Sequence, residues 1–310
     1  MLLTVTLNPA IDLNLEVEKL RAAEMHRCSV MRRAAGGKGI NVSRVAEELG
    51  CHTTALLAVG PSRADELGEL LKHHAFSIIM VRLQAGTTRQ NVVVSEKNGA
   101  RWIKVNERGP RWTPTDRQNF LREFRRIAQE AAGIVLSGWL PARIPKSFYG
   151  QLIREGRRSG AVTFLDAEGE TLQNGLRARP DVVKVNRDEA AGALGIRIRS
   201  LRDKLEAAAT ILRAGAGLAV ITDADSEAVA VSKDERWIVS PPKIKAISSV
   251  GSGDSFLAAL AVSLLKGHPL VEAFRWAVAA GSASAMREDT QLCRLSDLKR
   301  LLGKVKVRPA

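Results

Sequence analysis

Short apolar runs recur along the chain and alternate with longer segments of helical period. Residues 1–7 (MLLTVTL), 53–59 (TTALLAV), 133–138 (GIVLSG), 162–167 (VTFLDA), 181–186 (DVVKVN) and 217–222 (GLAVIT) are near-continuous apolar runs, as expected of strands buried on both faces. Residues 117–131 (RQNFLREFRRIAQEA), 200–215 (SLRDKLEAAATILRAG) and 272–286 (EAFRWAVAAGSASAM) repeat apolar positions at helical spacing. Such alternation predicts an α/β fold with a mainly parallel central sheet covered on both faces. Ligands in such folds bind beyond the carboxyl ends of the strands. Two regions break the rhythm. Residues 89–106 hold two strand-like segments around Asn98-Gly99, a hairpin signal, and 13–20 (LNLEVEKL) also alternates. Together they predict a small β-sheet lid formed by segments within 11–33 and 88–106. KVKVRPA, residues 304–310, reads as a short peripheral tail. No repeat or low-complexity linker interrupts the pattern, so residues 1–310 are expected to form a single domain.

Composition narrows the partners. Apolar residues make up 45% of the chain, ample for a large core. No apolar run approaches the ~20 residues needed to span a bilayer. The first residues read as a strand and not as a signal peptide. Cys28, Cys51 and Cys293 are far apart with no CxxC pair, so neither zinc nor a disulfide is indicated and a cytoplasmic location is expected. The net charge of +14 is spread among acids, and aromatics are only 4%. That favours a solvated basic surface that draws in anionic substrates over a nucleic-acid partner.

Candidate chemistry lies in glycine-rich turns. In AISSVGSGDSFLAAL, residues 246–260, Gly251, Ser252 and Gly253 lead into apolar positions of helical spacing. Asp254 falls in the first turn, where backbone N–H groups lack partners and attract anions. A simple helix cap accounts for Asp254 equally well on this stretch alone. Gly36, Gly37 and Gly39 open a second helix, with Lys38 and Asn41 able to bind oxygens; the pattern is neither a Walker A loop nor GxGxxG. Asp12, just past the first strand, suits paired hydroxyls. Asn186 and Glu189 follow another strand and offer oxygens to Mg²⁺, or a helix cap.

The order NPxxD, GGKGxN, TRQN, SGxLP, NxxE, GxGD spans nearly the whole chain and resembles the ribokinase-like (PfkB-type) carbohydrate kinases, most closely their phosphosugar kinases. The resemblance implies a ribokinase-like three-layer sandwich with a lid. It implies ATP and Mg²⁺ as cofactors and a phosphoryl transfer to a ketohexose phosphate: fructose 1-phosphate, fructose 6-phosphate or tagatose 6-phosphate. Asp254 matches the family's catalytic base, and the N–H groups of Gly251, Ser252, Gly253 and Asp254 its anion hole. Asp12, Gly37 and Asn41 match sugar-hydroxyl positions. Arg27, Lys38 and Arg89, with Asn91 and Ser137, match positions around the phosphate already on the substrate. Lys184 and Asn186 lie by the nucleotide phosphates, Thr222 and Asp223 open the loop bordering the nucleotide, and Asn186, Glu189 and Asp166 match the metal element. Lids often pair between subunits in relatives, so the resemblance also implies a homodimer.

The chain departs from the family in four places, one of them mild: KVN, residues 184–186, stands where relatives usually have KPN. VITDADSEAVAV replaces a glycine-containing nucleotide loop and adds Asp223, Asp225 and Glu227. Trp139 replaces a small residue beside the sugar pocket, and GSGD replaces GAGD. The acidic loop motivates an alternative, a non-catalytic sugar-phosphate sensor. A kinase for an unphosphorylated sugar or nucleoside is the other.

Overall fold

The structure, a computed structural model, describes residues 1–97, 101–287 and 291–310; the Asn98-Gly99 hairpin signal lies outside them. The first half runs β1 (Leu2–Thr6), β2 (Ala10–Val17), β3 (Val30–Gly36), α1 (Lys38–Glu48), β4 (Thr53–Val59), α2 (Ala64–Leu71), β5 (Ser77–Arg82), β6 (Arg89–Glu96), β7 (Trp102–Asn106) and α3 (Pro114–Ala128). Next come β8 (Gly133–Ser137), α4 (Phe148–Arg158), β9 (Val162–Asp166), α5 (Gly169–Leu176), β10 (Val182–Asn186), α6 (Arg187–Leu194), α7 (Leu201–Arg213) and β11 (Leu218–Thr222). The chain closes with β12 (Ala228–Ser232), β13 (Arg236–Ser240), α8 (Ser252–Leu265), α9 (Leu270–Ala285), α10 (Leu295–Leu302) and β14 (Lys306–Pro309).

The main sheet has the order β14-β13-β12-β11-β10-β9-β8-β1-β4-β5. From β11 to β5 every pairing is parallel; β12, β13 and β14 add antiparallel strands at one edge. The α/β reading of the apolar runs is therefore correct. Residues 304–310 are not a loose tail. Val307 pairs with Val239 across β14 and β13, because alternating lysine and valine suit an edge strand with one covered face.

Period-two alternation sends each parallel strand's side chains to opposite cores. On β1, Leu2 joins one core, while Leu3 and Val5 join the other. The first core also receives α1, α8, α9 and α10; the second receives α3, α4, α5 and α7. Among the second core's contacts, Trp112 lies 5.3 Å from Phe120 and 6.1 Å from Phe148, centroid to centroid. In the first, Phe256 meets Phe274 edge-on at 5.9 Å and fixes α8 against α9. That contact matters because the first turn of α8 carries Asp254.

The smaller sheet has the order β3-β2-β6-β7. Its register lines up Met31, Leu15, Val94 and Ile103 in one row, and Leu13, Val92 and Val105 in another. Asp12 pairs with Asn91 one residue away, hence on the opposite face. One face of this sheet is thus mainly apolar, with Arg33 at its β3 edge, and the other mainly polar, with Trp102 at its β7 edge.

Candidate active site

Three strand ends and two helix starts converge. β9 ends at Asp166, β10 at Asn186 with Lys184 two residues earlier, and β8 at Ser137, which pairs in register with Asp166. α1 begins at Lys38, directly after β3, and α8 begins beside Gly251. Glycine turns decide how the chain enters α8. Gly251 has φ +75°, and a Cβ there would lie 2.3 Å from Leu292 Cδ2. A Cβ on Gly253 would lie 2.9 Å from Lys184 Nζ. Glycine therefore lets the ammonium rest against the opening turn of α8.

Asp166 is the hub. It is fully buried, and its two carboxylate oxygens are taken by two lysines: Lys38 Nζ at 2.9 Å from Oδ1 and Lys184 Nζ at 3.3 Å from Oδ2. Burial alone would raise its pKa; the lysines outweigh burial and hold it below the ordinary carboxylate range. Lys38 also stands 3.7 Å from Glu189. Burial opposes its charge, but Asp166, Asp254 and Glu189 together keep it firmly protonated. Asp254 is buried and accepts from Asn41 Nδ2 at 2.8 Å. Burial pushes its pKa up, and the Asp166 charge adds to this; Lys38, Asn41 and Lys184 pull the other way without cancelling it. A carboxylate so tuned is able to accept a proton from a hydroxyl placed against it.

A second cluster lies on the polar face of the small sheet. Asn91 Nδ2 donates to Asp12 Oδ1 at 2.6 Å. Arg89 Nη1 donates to Asn91 Oδ1 at 3.0 Å, and its Nε to the Asn8 carbonyl at 3.0 Å. The β3–α1 connection joins this cluster covalently to Lys38 and Asn41. Asp12, Asn91, Arg89, Gly37, Lys38 and Asn41 are thus carried by one continuous wall.

The cations expected around the substrate phosphate have different surroundings. Lys38 is engaged with Asp166 and Glu189, while Arg89 belongs to the Asp12 cluster. Arg27 is exposed in the β2–β3 connection. Ser137 is buried, and its hydroxyl has no partner among the described residues, so it is free to donate. Of the anion-hole amides, that of Ser252 donates to the Ser249 carbonyl at 3.3 Å. Trp139 is 68% exposed. It lines a cavity of about 640 Å³ that it shares with Asn186, Glu189 and Lys146, at the corner expected for metal and donor.

The metal element needs adjusting. Asn186 and Glu189 form a capping box on α6, each side chain accepting the other's backbone N–H at 2.8 Å. Asp166 is fully buried, with each of its oxygens held by a lysine. Among the described residues no group of three or more His, Cys, Asp or Glu could cage an ion. What remains is the outer oxygen of Glu189 and the second lone pair of the Asn186 amide. That donor set fits hydrated Mg²⁺, which keeps waters and takes further ligands from phosphates.

Two residues near the site escaped the sequence reading. Tyr149 is fully buried, its pKa is driven up by burial, and it donates to the Gly138 carbonyl at 3.1 Å. Lys204 lies buried on α7 in the same stripe as Ala207, Ala208 and Ile211; a cation on an apolar stripe was the available signal.

The chain belongs to the pfkB family of carbohydrate kinases, whose family model matches residues 4–297. Within that family it is a phosphofructokinase-like carbohydrate kinase. It is 31% identical over 307 residues to 1-phosphofructokinase of Bacillus subtilis, covering 99% of each chain. It is 30% identical over 300 residues to ATP-dependent 6-phosphofructokinase isozyme 2 of Mycobacterium tuberculosis, covering 96% of this chain and 88% of that one. The solved phosphofructokinase-2 of Escherichia coli in complex with potassium superposes with a TM-score of 0.91 at 27% identity, over 97% of this chain and 98% of that one. No helix among the described residues is long and apolar enough to cross a membrane.

Proposed function

We propose that the chain transfers the γ-phosphoryl group of Mg-ATP to a hydroxyl of a ketohexose phosphate, giving a bisphosphate. The observation that carries this reading is Asp254: a buried carboxylate with a raised pKa, held by Asn41 at the first turn of α8.

Asp12 and Asn91 accept and donate to sugar hydroxyls, and Asn41 steadies both Asp254 and the acceptor. Asp254 takes the proton of the attacking hydroxyl. The transition state of phosphoryl transfer is loose, so positioning and charge stabilisation do most of the work. Gly253 and Asp254 sit where a helix start leaves N–H groups without intrahelical partners, and those amides face the transferring group. Lys184, packed on Gly253, adds its charge on the donor side. Lys38 adds its own between acceptor and donor. Arg89 and the Ser137 hydroxyl serve the phosphate already on the sugar. Glu189 and Asn186 would hold Mg²⁺ through water, and an ion bound there would neutralise charge on the donor phosphates. The small sheet closes as a lid that excludes water. Its apolar face, with Met31, Ile103 and Val105 all more than half exposed, docks on the same face of a second copy to form a homodimer.

ADP release is measured with Mg-ATP and fructose 1-phosphate, fructose 6-phosphate or tagatose 6-phosphate, alongside fructose, ribose and adenosine. Turnover on one phosphosugar names the substrate. Asp254→Asn is expected to lower kcat by roughly 10²–10⁴-fold, the usual contribution of a positioned base, while phosphosugar binding persists. Wild-type turnover by Asp254→Asn would overturn the assignment.

A further inference from the structure

The acidic loop at residues 222–228 interrupts the donor side of the site, where a nucleotide's phosphates would be repelled. Its position follows from register: Thr222 ends β11 opposite Asn186, which ends β10. The turn therefore adjoins the Asn186–Glu189 corner. Its carboxylates are largely matched by cations from elsewhere in the fold. Lys204, only 6% exposed, donates to Asp223 Oδ2 at 2.9 Å and to the Glu227 carbonyl at 2.7 Å. One ammonium thus ties both shoulders of the turn. Arg187 adds a second cation to Asp223 at 3.3 Å. Glu227 accepts from Ser240 Oγ at 3.0 Å and from Arg308 Nη2 at 3.1 Å. The Ser226 N–H closes the turn on the Asp223 carbonyl at 2.7 Å. Between them Ala224 holds φ +38°, a conformation glycine adopts freely and alanine does not.

We propose that Lys204 and Arg308 are positioning residues for the phosphoryl donor: from α7 and β14 they staple the 222–228 turn and neutralise its acids, doing with ion pairs what glycines do by shape. The proposal rests on the assignment of the neighbouring corner to the donor. The reasoning is electrostatic and conformational. Asp223 and Glu227 left unpaired would repel a polyphosphate, and a turn of non-glycine residues left untethered would not keep its strained bend. Arg308 reaches the turn only because β14 is a paired strand, so this edge of the sheet contributes to donor binding.

Binding of Mg-ATP is measured by calorimetry for wild type, Arg308→Ala, Arg308→Lys, Glu227→Gln and the double variant Lys204→Met/Asp223→Asn. The double variant removes both buried charges together, so none is left alone. Arg308 and Glu227 are partly exposed. Arg308→Ala is therefore expected to weaken Mg-ATP by about two- to fivefold, the range of an exposed ion pair. Arg308→Lys restores most of that loss; Glu227→Gln removes the tether together with the repelling charge and so weakens Mg-ATP less than Arg308→Ala does; the buried double variant, which loses the tie across the turn, weakens Mg-ATP further. Phosphosugar binding stays at the wild-type value in all, which a general loosening of the fold would not allow. Wild-type Mg-ATP affinity in Arg308→Ala and Glu227→Gln overturns the staple alone, as does a parallel loss of phosphosugar affinity. Absence of Mg-ATP binding in the wild-type chain overturns both the staple and the donor assignment. Arg308 is on an exposed edge, so its result stands even where the buried double variant fails to fold.

Discussion

Asp254 sits between opposing influences. Burial and the Asp166 charge favour its neutral form; Lys38, Asn41 and Lys184 favour the carboxylate. As a base it works only when ionised. Activity should therefore fall as pH drops through its native pKa, which lies above the ordinary value of about 3.9 for aspartate. Lys38→Met removes a charge that favours ionisation, so the acid limb of the kcat/KM profile should move to higher pH. The substrate phosphate titrates near 6 in either protein, so the difference between the two profiles is diagnostic. An unmoved limb would separate Lys38 from the base. The residue scale is also where sequence was least informative. Motif positions named Asp254, Asn41 and Lys184, but not that Asp166 would hold two lysines. Such partnerships join residues far apart in sequence, as Lys38 and Asp166 are, and no local pattern encodes them.

At the level of elements, the two glycines that open α8 do different work. Gly251 needs its left-handed backbone and the space against Leu292. Gly251→Ala should cost about 1–3 kcal/mol of stability, the usual range for a side chain forced into that region, measured by urea unfolding. Gly253 has ordinary backbone angles, and its imagined Cβ meets only the mobile end of Lys184. Gly253→Ala should leave the urea midpoint nearly unchanged while lowering kcat, because Lys184 must leave its place. An unchanged kcat in Gly253→Ala would show that the Lys184 contact is irrelevant to rate. The parallel strands were legible because each is an unbroken apolar run. The β3, β5, β12, β13 and β14 strands were not singled out. They are short or partly exposed and lie at or near an edge of their sheets, so tertiary pairing and not local pattern defines them. Lys204 was hidden for a related reason: its burial depends on Asp223 crossing from another strand.

For the whole molecule, the proposed homodimer places its contact on the apolar face of the small sheet. Val105→Lys together with Ile103→Lys should convert a dimer to a monomer in sedimentation velocity, with the main fold intact by circular dichroism. A monomeric wild-type chain at micromolar concentration would remove the pairing. Asp12 and Leu13 are neighbours on β2 and face opposite sides of the same sheet. A sugar phosphate touching one side and a second subunit touching the other therefore share one rigid strand. Thermodynamic linkage then requires that whatever ligand occupancy does to subunit affinity, subunit association does equally to ligand affinity. Diluting the enzyme would shift its apparent affinity for sugar phosphate, and saturating it with sugar phosphate would shift the concentration at which the subunits part.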